Sequence, residues 1–423
     1  MREMKDSGVE WIGAIPESWS VLRNKNAFSC DKLIVGNDSD KTQLLSLTTK
    51  GIKKKDINNA EGKLPESFDT YQRVAADNIV MCLFDLDCSA VFSGISPYAG
   101  MISPAYRVLT CKENIVPQYA DYWFSYISDG RKFNHYAKNI RYTLSYEEFS
   151  ALPILMPDVT TQKQIVNFLD TKCSKIDATI SKQQEAIEKL KAYKLSVITE
   201  AVTKGWNPNV SLKNSGIEWI GKIPSHWHLS HIGNLAEIGS GGTPDRKKPE
   251  YWIEGTVKWM ASGEINYEYV YDTAEKITEL GMENSNAKLL PVNTVMLGLI
   301  GQGKTKGLTA ILKTECTCNQ NLAYLIANPE LLHYRYLFYC FKAMYHYIRG
   351  LVGDSQAGIY QGFLKKQSIP LPTFEEQICI SDRLDKESQR IQSLIEIKER
   401  QVEKLNQYKK SLIYEVVTGK REV

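Results

Sequence analysis

Apolar side chains recur at alternating intervals of three and four residues through residues 160–204, a stretch that contains neither proline nor glycine. This spacing places them on one face of an α-helix and is typical of helices that pair along their length. At about 1.5 Å per residue the helix would be roughly 65 Å long, too long to fold back into a small core. The predicted helix-pairing positions are Ile165, Leu169, Ile176, Ile180, Ile187 and Leu190.

A second helix of the same kind is predicted over residues 375–418. Thr373 and Glu376 have the spacing of a capping box at its start. Gly205 and Gly419 occupy positions that suit the C-terminal caps of the two helices. The predicted pairing positions of the second helix are Leu384, Ile391, Ile395, Val402 and Leu405.

We expect the two helices to pair with each other in antiparallel orientation and to act as a spacer between globular parts. Polar residues interrupt the apolar stripes at matching positions, Lys194 with Lys409 and Gln183 with Lys398. Such residues would either fix the register of the pair or face a third helix from another protein.

The sequence is an internal duplication. Residues 7–19 (SGVEWIGAIPESW) and 215–227 (SGIEWIGKIPSHW) are identical at nine of thirteen positions, at an offset of 215 − 7 = 208. Residues 186–205 match residues 401–420 at ten of twenty positions, at an offset of 401 − 186 = 215. The stretches between these matches, 30–150 and 240–365, share little. This pattern indicates one scaffold that presents two unlike readers.

Each half mixes short β-type runs with turns and one longer helical stretch, which predicts an α+β fold. Two globular α/β-mixed domains would be separated by two long antiparallel coiled-coil helices. A pseudo-two-fold internal repeat would relate the two halves, each made of one domain and one helix. The predicted bounds are 1–157 for the first domain, 158–206 for the first helix, 207–372 for the second domain and 373–423 for the second helix. The candidate strands are Ile79–Phe84, Tyr106–Thr110, Thr294–Ile300, Leu308–Leu312 and Ala323–Ala327, and the candidate helices are Pro117–Ser128 and Glu330–Tyr347.

Net charge and cysteine content place only weak limits on the class of protein. The 52 basic and 49 acidic residues leave a net charge of +3, which neither excludes nor demonstrates nucleic-acid binding. No run of 18 apolar residues occurs, so we expect no membrane span. The nine cysteines are scattered, with Cys316 and Cys318 the one close pair, which favours free thiols in a reducing cytoplasm.

Basic, amide and aromatic residues cluster in the predicted loops of both halves. Lysine and arginine suit phosphate contacts, arginine also reads guanine, and asparagine and glutamine read adenine. Taken singly, each of these residues would also suit an ordinary solvated surface. In the first half the predicted DNA contacts are Lys53, Lys54, Arg73, Tyr98, Arg131, Arg141 and Tyr142. In the second half they are Arg246, Lys247, Gln302, Lys304, Lys306, Asn319 and Gln320.

Residues 298–305 (GLIGQGKT) satisfy the phosphate-loop pattern GxxxxGK[ST]. A phosphate loop requires a helix directly afterwards, whereas LTAILKTECTCN at residues 308–319 predicts a strand. We therefore interpret the segment as a glycine-rich loop between two strands, able to approach a DNA backbone closely. No metal-ligand spacing of histidines, no GxSxG and no NPPY or DPPY methyltransferase motif occurs. The chain is predicted to be non-catalytic and to bind no cofactor.

Several longer motifs together resemble one family over the whole chain, the specificity subunits of type I restriction-modification systems. They are the two SGxEWIGxIPxxW openings, the segments leading into the long helices (LPILMPDVTTQKQIVNFLD, 152–170; IPLPTFEEQICISDRLD, 369–385), GGTPDRKKPEYW (241–252), SPAYRVL (103–109) and the two helix ends. The first helix start, PDVTTQ, departs from the usual pattern because it lacks the acidic pair, which leaves its cap chemistry open.

The resemblance implies that each globular domain is a target recognition domain that reads one half of a bipartite site in double-stranded DNA. It implies two modification subunits, which bind S-adenosylmethionine and methylate adenine N6, and two restriction subunits with motor and nuclease activity. On this view S-adenosylmethionine, ATP and Mg belong to the partners, and the helices set the spacer and scaffold the complex. Because the two readers differ, we expect an asymmetric site.

Three alternatives stay open at this stage. The chain could serve a related restriction system whose partner fuses methylation and cleavage in one polypeptide. Residues 298–305 raise the possibility of an NTPase. The long helices would also suit a coiled-coil adaptor that does not contact DNA.

Overall fold

The computed structural model describes residues 2–56, 65–86, 92–137, 142–300, 305–352 and 358–423. The chain forms two units: unit 1 comprises Met1–Gln184 with Arg400–Val423, and unit 2 comprises Glu185–Glu399. The predicted sites Arg141, Gln302 and Lys304 lie outside the described residues. Each long helix contributes one part of its length to each unit.

Unit 1 begins with a β-hairpin built from the first SGxEWIG segment. Its strands pair antiparallel, and Gly8 and Gly13 turn the chain between them with φ of +71° and +69°. Only glycine adopts this backbone conformation without a steric penalty, which explains why both positions are glycine. The elements are β1 Met4–Asp6, β2 Ala14–Pro16, β3 Ser20–Arg23, α1 Asn24–Ala27, β4 Phe28–Ser29, β5 Leu45–Thr48, β6 Gly51–Lys54, β7 Gln72–Val74, β8 Ile79–Met81, β9 Ser93–Ile95, β10 Gly100–Ile102, β11 Arg107–Cys111, α2 Pro117–Asp129, α3 Tyr146–Ala151, β12 Pro153–Met156 and α4 Val159–Lys204.

The central sheet of unit 1 has the strand order β4-β11-β8-β9, and all of its pairs are antiparallel. Helix α2 packs on this sheet through fully buried aromatic residues, among them Tyr119, Trp123 and Phe124. Two further hairpin-like pairs, β5 with β6 and β7 with β10, bury a smaller cluster around Leu45, Ile52 and Val74. The sheet therefore has one large core toward the helices and a second, smaller layer.

Unit 2 begins with the same hairpin, 208 residues later. Its elements are β13 Leu212–Asn214, β14 Lys222–Pro224, β15 His228–His231, β16 Ala236–Ser240, β17 Val257–Met260, β18 Tyr269–Val270, β19 Glu275–Ile277, α5 Glu279–Glu283, β20 Val295–Gly298, β21 Thr309–Leu312, β22 Thr317–Cys318, β23 Leu322–Ala327, α6 Tyr334–Val352, α7 Gln361–Lys366, β24 Ser368–Leu371 and α8 Phe374–Val417. The main sheet has the order β16-β23-β20-β21-β18, and its first four strands repeat the order of the unit 1 sheet. The fold is therefore mixed α/β in both units.

The sequence-predicted elements are present with small shifts at their ends. The strand predicted over Ile79–Phe84 ends at Met81, because beyond it the Leu83 carbonyl accepts a hydrogen bond from Leu144 N instead of a strand partner. The helix predicted from Glu330 begins at Tyr334, because the Asn328 side chain first holds a turn by accepting a hydrogen bond from Glu330 N.

The long helices Val159–Lys204 and Phe374–Val417 agree to within one residue with the helical stretches 160–204 and 375–418 that the apolar pattern predicts. In unit 1 the α4 residues Ile165, Leu169, Ile176 and Ile180 are buried in one core with the end of α8, and Val402 and Leu405 pack against it. In unit 2 the buried positions are Ile187, Leu384, Ile391 and Ile395, and Leu190 is half-buried. The capping box is present, because Thr373 N donates to Glu376 Oε2 at 3.1 Å and Glu376 N donates to Thr373 Oγ1 at 3.3 Å.

Candidate nucleic-acid interface

A buried glutamine fixes the start of each long helix, and the two glutamines are 215 residues apart. Gln162 accepts a hydrogen bond from Val116 N at 2.7 Å and donates to the carbonyls of Asn114 and Pro157, both at 2.9 Å. Gln377 accepts from His333 N at 2.8 Å and donates to the carbonyls of Leu331 and Pro372, both at 3.1 Å. Each glutamine thus ties a long helix to the segment that enters the domain helix, α2 in unit 1 and α6 in unit 2.

Two tyrosines on each domain helix repeat the same contacts. Tyr122 donates to Asp170 of α4 at 2.7 Å, and Tyr339 donates to Asp385 of α8 at 2.5 Å. One turn away, buried Tyr119 donates to the Leu155 carbonyl and buried Tyr336 to the Pro370 carbonyl, each at 3.0 Å. These contacts hold the domain helix of each unit at a fixed place on its long helix.

Unit 2 adds an ion-pair network at this junction. Arg335 of α6 contacts Asp382 at 2.7 Å and Asp385 at 2.6 Å. Burial acts to lower the pKa of the Arg335 guanidinium, but the hydrogen bonds from the two carboxylates outweigh it and the pKa is raised. The matching positions in unit 1 are Gln118 and Asn167, so only unit 2 has this network among the described residues.

The last residues of the long helices dock against the tryptophans of the opening hairpins. A Cβ at Gly205 would lie 3.1 Å from the Trp227 ring within unit 2, and one at Gly419 would lie 2.5 Å from Pro16 within unit 1. Both glycines have φ near +70°. The C-terminal cap and this close approach both require glycine at each helix end.

Polar contacts join the two long helices inside each unit. In unit 1, Lys409 Nζ contacts both carboxylate oxygens of Asp177, at 2.7 and 2.8 Å. In unit 2, Lys194 Nζ donates to Gln392 Oε1 at 3.3 Å. Lys194 matches Lys409 in the repeat, and Asp177 matches Gln392, so the same cross-helix contact occurs twice.

The described residues of unit 1 that were predicted to contact DNA lie in two exposed groups. The ammonium of Lys54 lies 4.8 Å from the Tyr98 ring centroid, and Lys53 is exposed beside it on β6. Arg73 is also exposed and pairs with Asp38, which partly neutralises it. Lys54 and Tyr98 therefore form a basic and aromatic pair that is exposed to solvent.

The second group lies at one edge of the sheet, where the chain after β8 meets the chain before α3. Leu86 N donates to the Tyr142 carbonyl at 3.2 Å. Tyr142 and Arg131 both have φ of +46°, in the left-handed region that residues other than glycine rarely adopt. In unit 2, Ile359 N donates to the Leu299 carbonyl at 2.9 Å, which places the corresponding segments side by side. The two sheets thus have an equivalent edge.

In unit 2, Arg246 is held by contacts with Glu275 and Trp252. Its guanidinium makes two hydrogen bonds of 2.7 Å to the carboxylate of Glu275 and lies 3.7 Å from the Trp252 ring centroid. The hydrogen bond to Glu275 raises the pKa of Arg246, and Arg246 lowers the pKa of Glu275. Lys247 beside it is exposed, and Gln320 accepts a hydrogen bond from Thr243 at the exposed start of β23.

Two predicted DNA contacts are buried. Lys306 is 6% exposed and Asn319 is 7% exposed. Asn319 donates to Ser262 Oγ at 2.9 Å and accepts from Asn321 N at 3.1 Å, so its amide stabilises the turn before β23. The expectation that these side chains lie on an open loop is corrected, because the loop ends fold onto the sheet.

The glycine-rich segment leads from strand to strand. Strands β20 and β21 are antiparallel, with Met296 opposite Ala310, so the residues after Thr305 lead into a strand. Gly298 N donates to the Leu308 carbonyl at 2.9 Å, and a Cβ at Gly298 would lie 2.2 Å from the Thr305 carbonyl oxygen. Gly298 is needed for this close backbone approach. The arrangement lacks the helix on which a phosphate loop depends.

Comparison with known proteins shows which family this chain resembles. Residues 224–407 match the family model described as the type I restriction modification DNA specificity domain. The MjaIX specificity subunit of Methanocaldococcus jannaschii is 33% identical over 164 residues, 37% of each chain. The MjaVIII specificity subunit of the same organism is 27% identical over 288 residues, which cover 65% of this chain and 63% of the relative. The matches thus span 37% and 63% of these two relatives. A type I restriction enzyme specificity subunit from Escherichia coli is 25% identical over 328 residues, 73% of each chain.

Two solved structures have the same fold. A chain from a study of complex assembly and conformational transition of the type I R-M system matches with a TM-score of 0.70 and 14% identity, covering 95% of this chain and 98% of that one. The HsdS subunit from Thermoanaerobacter tengcongensis matches with a TM-score of 0.50 and 14% identity, covering 98% and 100%. The family model, the relatives and the shared fold together support a likeness of this chain to the type I restriction-modification specificity subunits.

The chain has repeated residues that sequence reasoning missed. Gln162 and Gln377 stand at equivalent positions just after each helix start, and Asp170 and Asp385 follow eight residues later. These residues could have been found in the sequence, because the same polar residue stands at equivalent positions of the two halves. The apolar stripe alone does not reveal them, because their partners lie far away in sequence.

The described cysteines are free, and the described residues hold neither a membrane-spanning helix nor a metal-binding cluster. The eight described cysteines are free, and burial raises the pKa of Cys316 and of Cys318 to about 12. Over the same described ranges, no helix is both long and apolar enough to span a membrane, and no group of three acidic, His or Cys side chains is arranged to hold a metal ion.

Proposed function

We propose that this chain is the DNA-recognition subunit of a type I restriction-modification complex, in which each globular domain reads one half of a bipartite, asymmetric DNA site. One observation carries the proposal: the anchors that hold each domain to its long helix are duplicated, while the exposed surfaces differ. Gln162, Tyr122 and Asp170 have counterparts in Gln377, Tyr339 and Asp385. The Lys54–Tyr98 pair and the Arg246–Trp252 pair have no such correspondence.

The two long helices lie antiparallel along each other in this proposal and set the length of the unread spacer between the half-sites. The duplicated contact supports this arrangement, because Lys409 meets Asp177 in unit 1 and Lys194 meets Gln392 in unit 2. In each unit the late part of one helix therefore contacts the middle of the other, as an antiparallel pair requires.

In this proposal the chain recognises the DNA site and holds the complex together, and its partner subunits carry the catalytic activities. Two modification subunits bind S-adenosylmethionine and methylate adenine, and two restriction subunits use ATP and Mg to translocate and cleave DNA. The recognition domains work without a cofactor and catalyse no reaction. Because the target adenine must leave the helical stack for methylation, the recognition domains hold the distorted duplex while the partner acts.

Footprinting of duplex DNA with the chain and its modification subunit tests this function. We expect two protected tracts separated by unprotected base pairs. An absence of any protected duplex would favour the adaptor without DNA contact. Equilibrium binding of labelled ATP to the isolated chain tests the NTPase alternative, which saturable micromolar binding would support.

A further inference from the structure

A cavity of about 260 Å³ lies in unit 2, where the long helix α4, the domain helix α6 and the segment before β21 meet. Its apolar lining comes from α4 through Leu195 and Ile198, and from the domain through Ile265 and Leu308. Drug-sized ligands occupy pockets of about 300–1,000 Å³, so a cavity of this size suits a smaller molecule.

Two lysine ammonium groups in this cavity share one carboxylate. Lys342 of α6 contacts Glu268 Oε1, and Lys194 of α4 lies 3.9 Å from the same oxygen. The two lysine side chains are only 18% and 15% exposed, whereas the side chain of Glu268 is 48% exposed and partly screened by water. Lys191 also lines the cavity, but it has its own partner in Glu188 at 2.9 Å. Among the described lining residues Glu268 is the only carboxylate, so Lys194, Lys342 and Glu268 together carry one positive charge in excess.

Unit 1 balances the charge of the equivalent lysine. Lys409 matches Lys194 in the repeat and contacts both carboxylate oxygens of Asp177, at 2.7 and 2.8 Å. Unit 2 has the neutral Gln392 in place of Asp177, and Gln392 only accepts a hydrogen bond from Lys194 at 3.3 Å. The same lysine has therefore kept its charge in unit 2 without a carboxylate of its own.

Lys342 adds a second cation that unit 1 lacks. The corresponding residue of α2 is Ser125, at the offset of 342 − 125 = 217 that also relates the anchoring tyrosines of the two domain helices. Burial lowers the pKa of the Lys342 ammonium, although the Glu268 carboxylate acts in the opposite direction. The nearby Asp385 is already held by Arg335 at 2.6 Å. A buried cation that is only partly compensated is costly, and a bound anion removes that cost.

We propose that this cavity binds a small organic carboxylate, whose charged group pairs with Lys194 and Lys342 and whose apolar body packs against Ile198 and Ile265. The excess of one positive charge matches a singly charged carboxylate, and the aliphatic lining matches a short hydrocarbon chain. The bound molecule contacts α4, α6 and the segment before β21, so it strengthens the hold of the second domain on its long helix. The inference goes beyond the proposed function and does not depend on DNA recognition.

Methyl NMR of the full chain titrated with sodium hexanoate tests the site. We expect the δ1 methyl signals of Ile198 and Ile265 to shift and to reach saturation, while those of Ile165 and Ile176 in the core of unit 1 stay unchanged. Hexanamide has the same chain without the charge and should cause no saturable shift.

Three outcomes of this titration would overturn the proposal. The first is an absence of shifts at Ile198 and Ile265 with hexanoate. The second is an equal response to hexanamide, which would show an apolar cavity that does not select for charge. The third is an equal response to sodium chloride at the same concentration, which would show a site for an inorganic anion only.

Substitutions separate the charge of the cavity from the stability of the fold. Gln392→Asp transfers the unit 1 arrangement to unit 2, and Lys342→Met removes the second cation. Each should weaken hexanoate binding on the order of 10-fold, whereas Glu268→Gln should strengthen it. Lys189→Met is the matched control on α4, because its side chain is 76% exposed and outside the lining, and it should change the affinity by less than about 2-fold. Unchanged affinity in both Gln392→Asp and Lys342→Met, or an equal loss in Lys189→Met, would overturn the proposal.

Discussion

At the residue scale, a few buried polar side chains determine how each domain meets its long helix. Gln162 and Gln377 are fully buried and satisfied on both the carbonyl and the amino side. A buried amide with several backbone partners is costly to remove, since each of those backbone groups would then be buried without a hydrogen bond. We infer that these residues fix the junction more strongly than any surface ion pair.

Replacement of Gln162 by alanine tests this role. The substitution leaves the amide of Val116 and the carbonyls of Asn114 and Pro157 without their partner. We expect the free energy of unfolding to fall by about 3 kcal/mol, measured by denaturant unfolding of the chain. Gln164→Ala is the control, because Gln164 is exposed two residues later in the same helix and should change stability by less than about 0.5 kcal/mol. Equal effects of the two substitutions would contradict the role of Gln162.

Lys247 allows a test of the candidate DNA interface. It is exposed beside the Arg246–Glu275 pair, and an exposed lysine suits a phosphate contact. We expect Lys247→Ala to weaken binding of the assembled complex to all DNA sequences alike and to reduce the slope of log affinity against log salt by about one. Lys247→Arg should keep the slope. A loss restricted to DNA with one particular base would instead indicate base recognition by this side chain.

At the element scale, the sequence predicts the long helices almost to the residue, because a stripe of apolar positions over more than forty residues leaves few alternatives. The ends of the shorter elements shift, since they depend on hydrogen bonds such as Leu144 N to the Leu83 carbonyl, which join distant parts of the sequence. For the same reason, the burial of Lys306 and Asn319 is not visible in the sequence. The composition of a loop shows that its residues are polar. Whether a given side chain is exposed depends on how the ends of the loop fold onto the rest of the domain.

The length of the helices offers a test of the spacer. The units divide after Gln184 in α4 and after Glu399 in α8, and these two positions match in the repeat. Four residues inserted at both points add about 6 Å, while each unit keeps its own contacts. We expect the recognised spacer to lengthen by about two base pairs, at 3.4 Å each, with both half-sites unchanged. Methylation mapping provides the readout.

Insertion in one helix alone is the matched control for this experiment. It would shift one apolar stripe against the other and should destabilise the chain without producing a new, defined spacer. An unchanged spacer in the double insertion would contradict the idea that the helices set the distance.

At the scale of the whole molecule, we propose two unlike DNA-reading domains on a duplicated framework. The four shared strands of the two sheets follow the same order, and the opening hairpins, the glutamine anchors and the helix caps all recur. The sequence indicates this duplication through the repeated SGxEWIG segments and the repeated C-terminal ends of the long helices. It does not indicate which bases are read, because readout depends on the geometry of loops whose sequences differ between the halves.

Exchange of residues 20–150 for the corresponding part of another recognition domain tests the independence of the readers. We expect one half-site to change and the other half-site to persist, together with the spacer. The exchanged segment leaves the opening hairpin and Gln162 in place, and the backbone groups at positions 114 and 116 that bond to Gln162 would come from the new domain. A chain with residues 7–19 alone exchanged should keep both half-sites.

Genome-wide mapping of methylated adenine in cells that carry either the original chain or the exchanged chain is the most direct measurement. For the original chain we expect one asymmetric motif, made of two short tracts around a fixed unread gap. For the exchanged chain we expect one of the two tracts to change and the other to stay the same. A single continuous motif, a palindrome, or the loss of both tracts together would contradict this account.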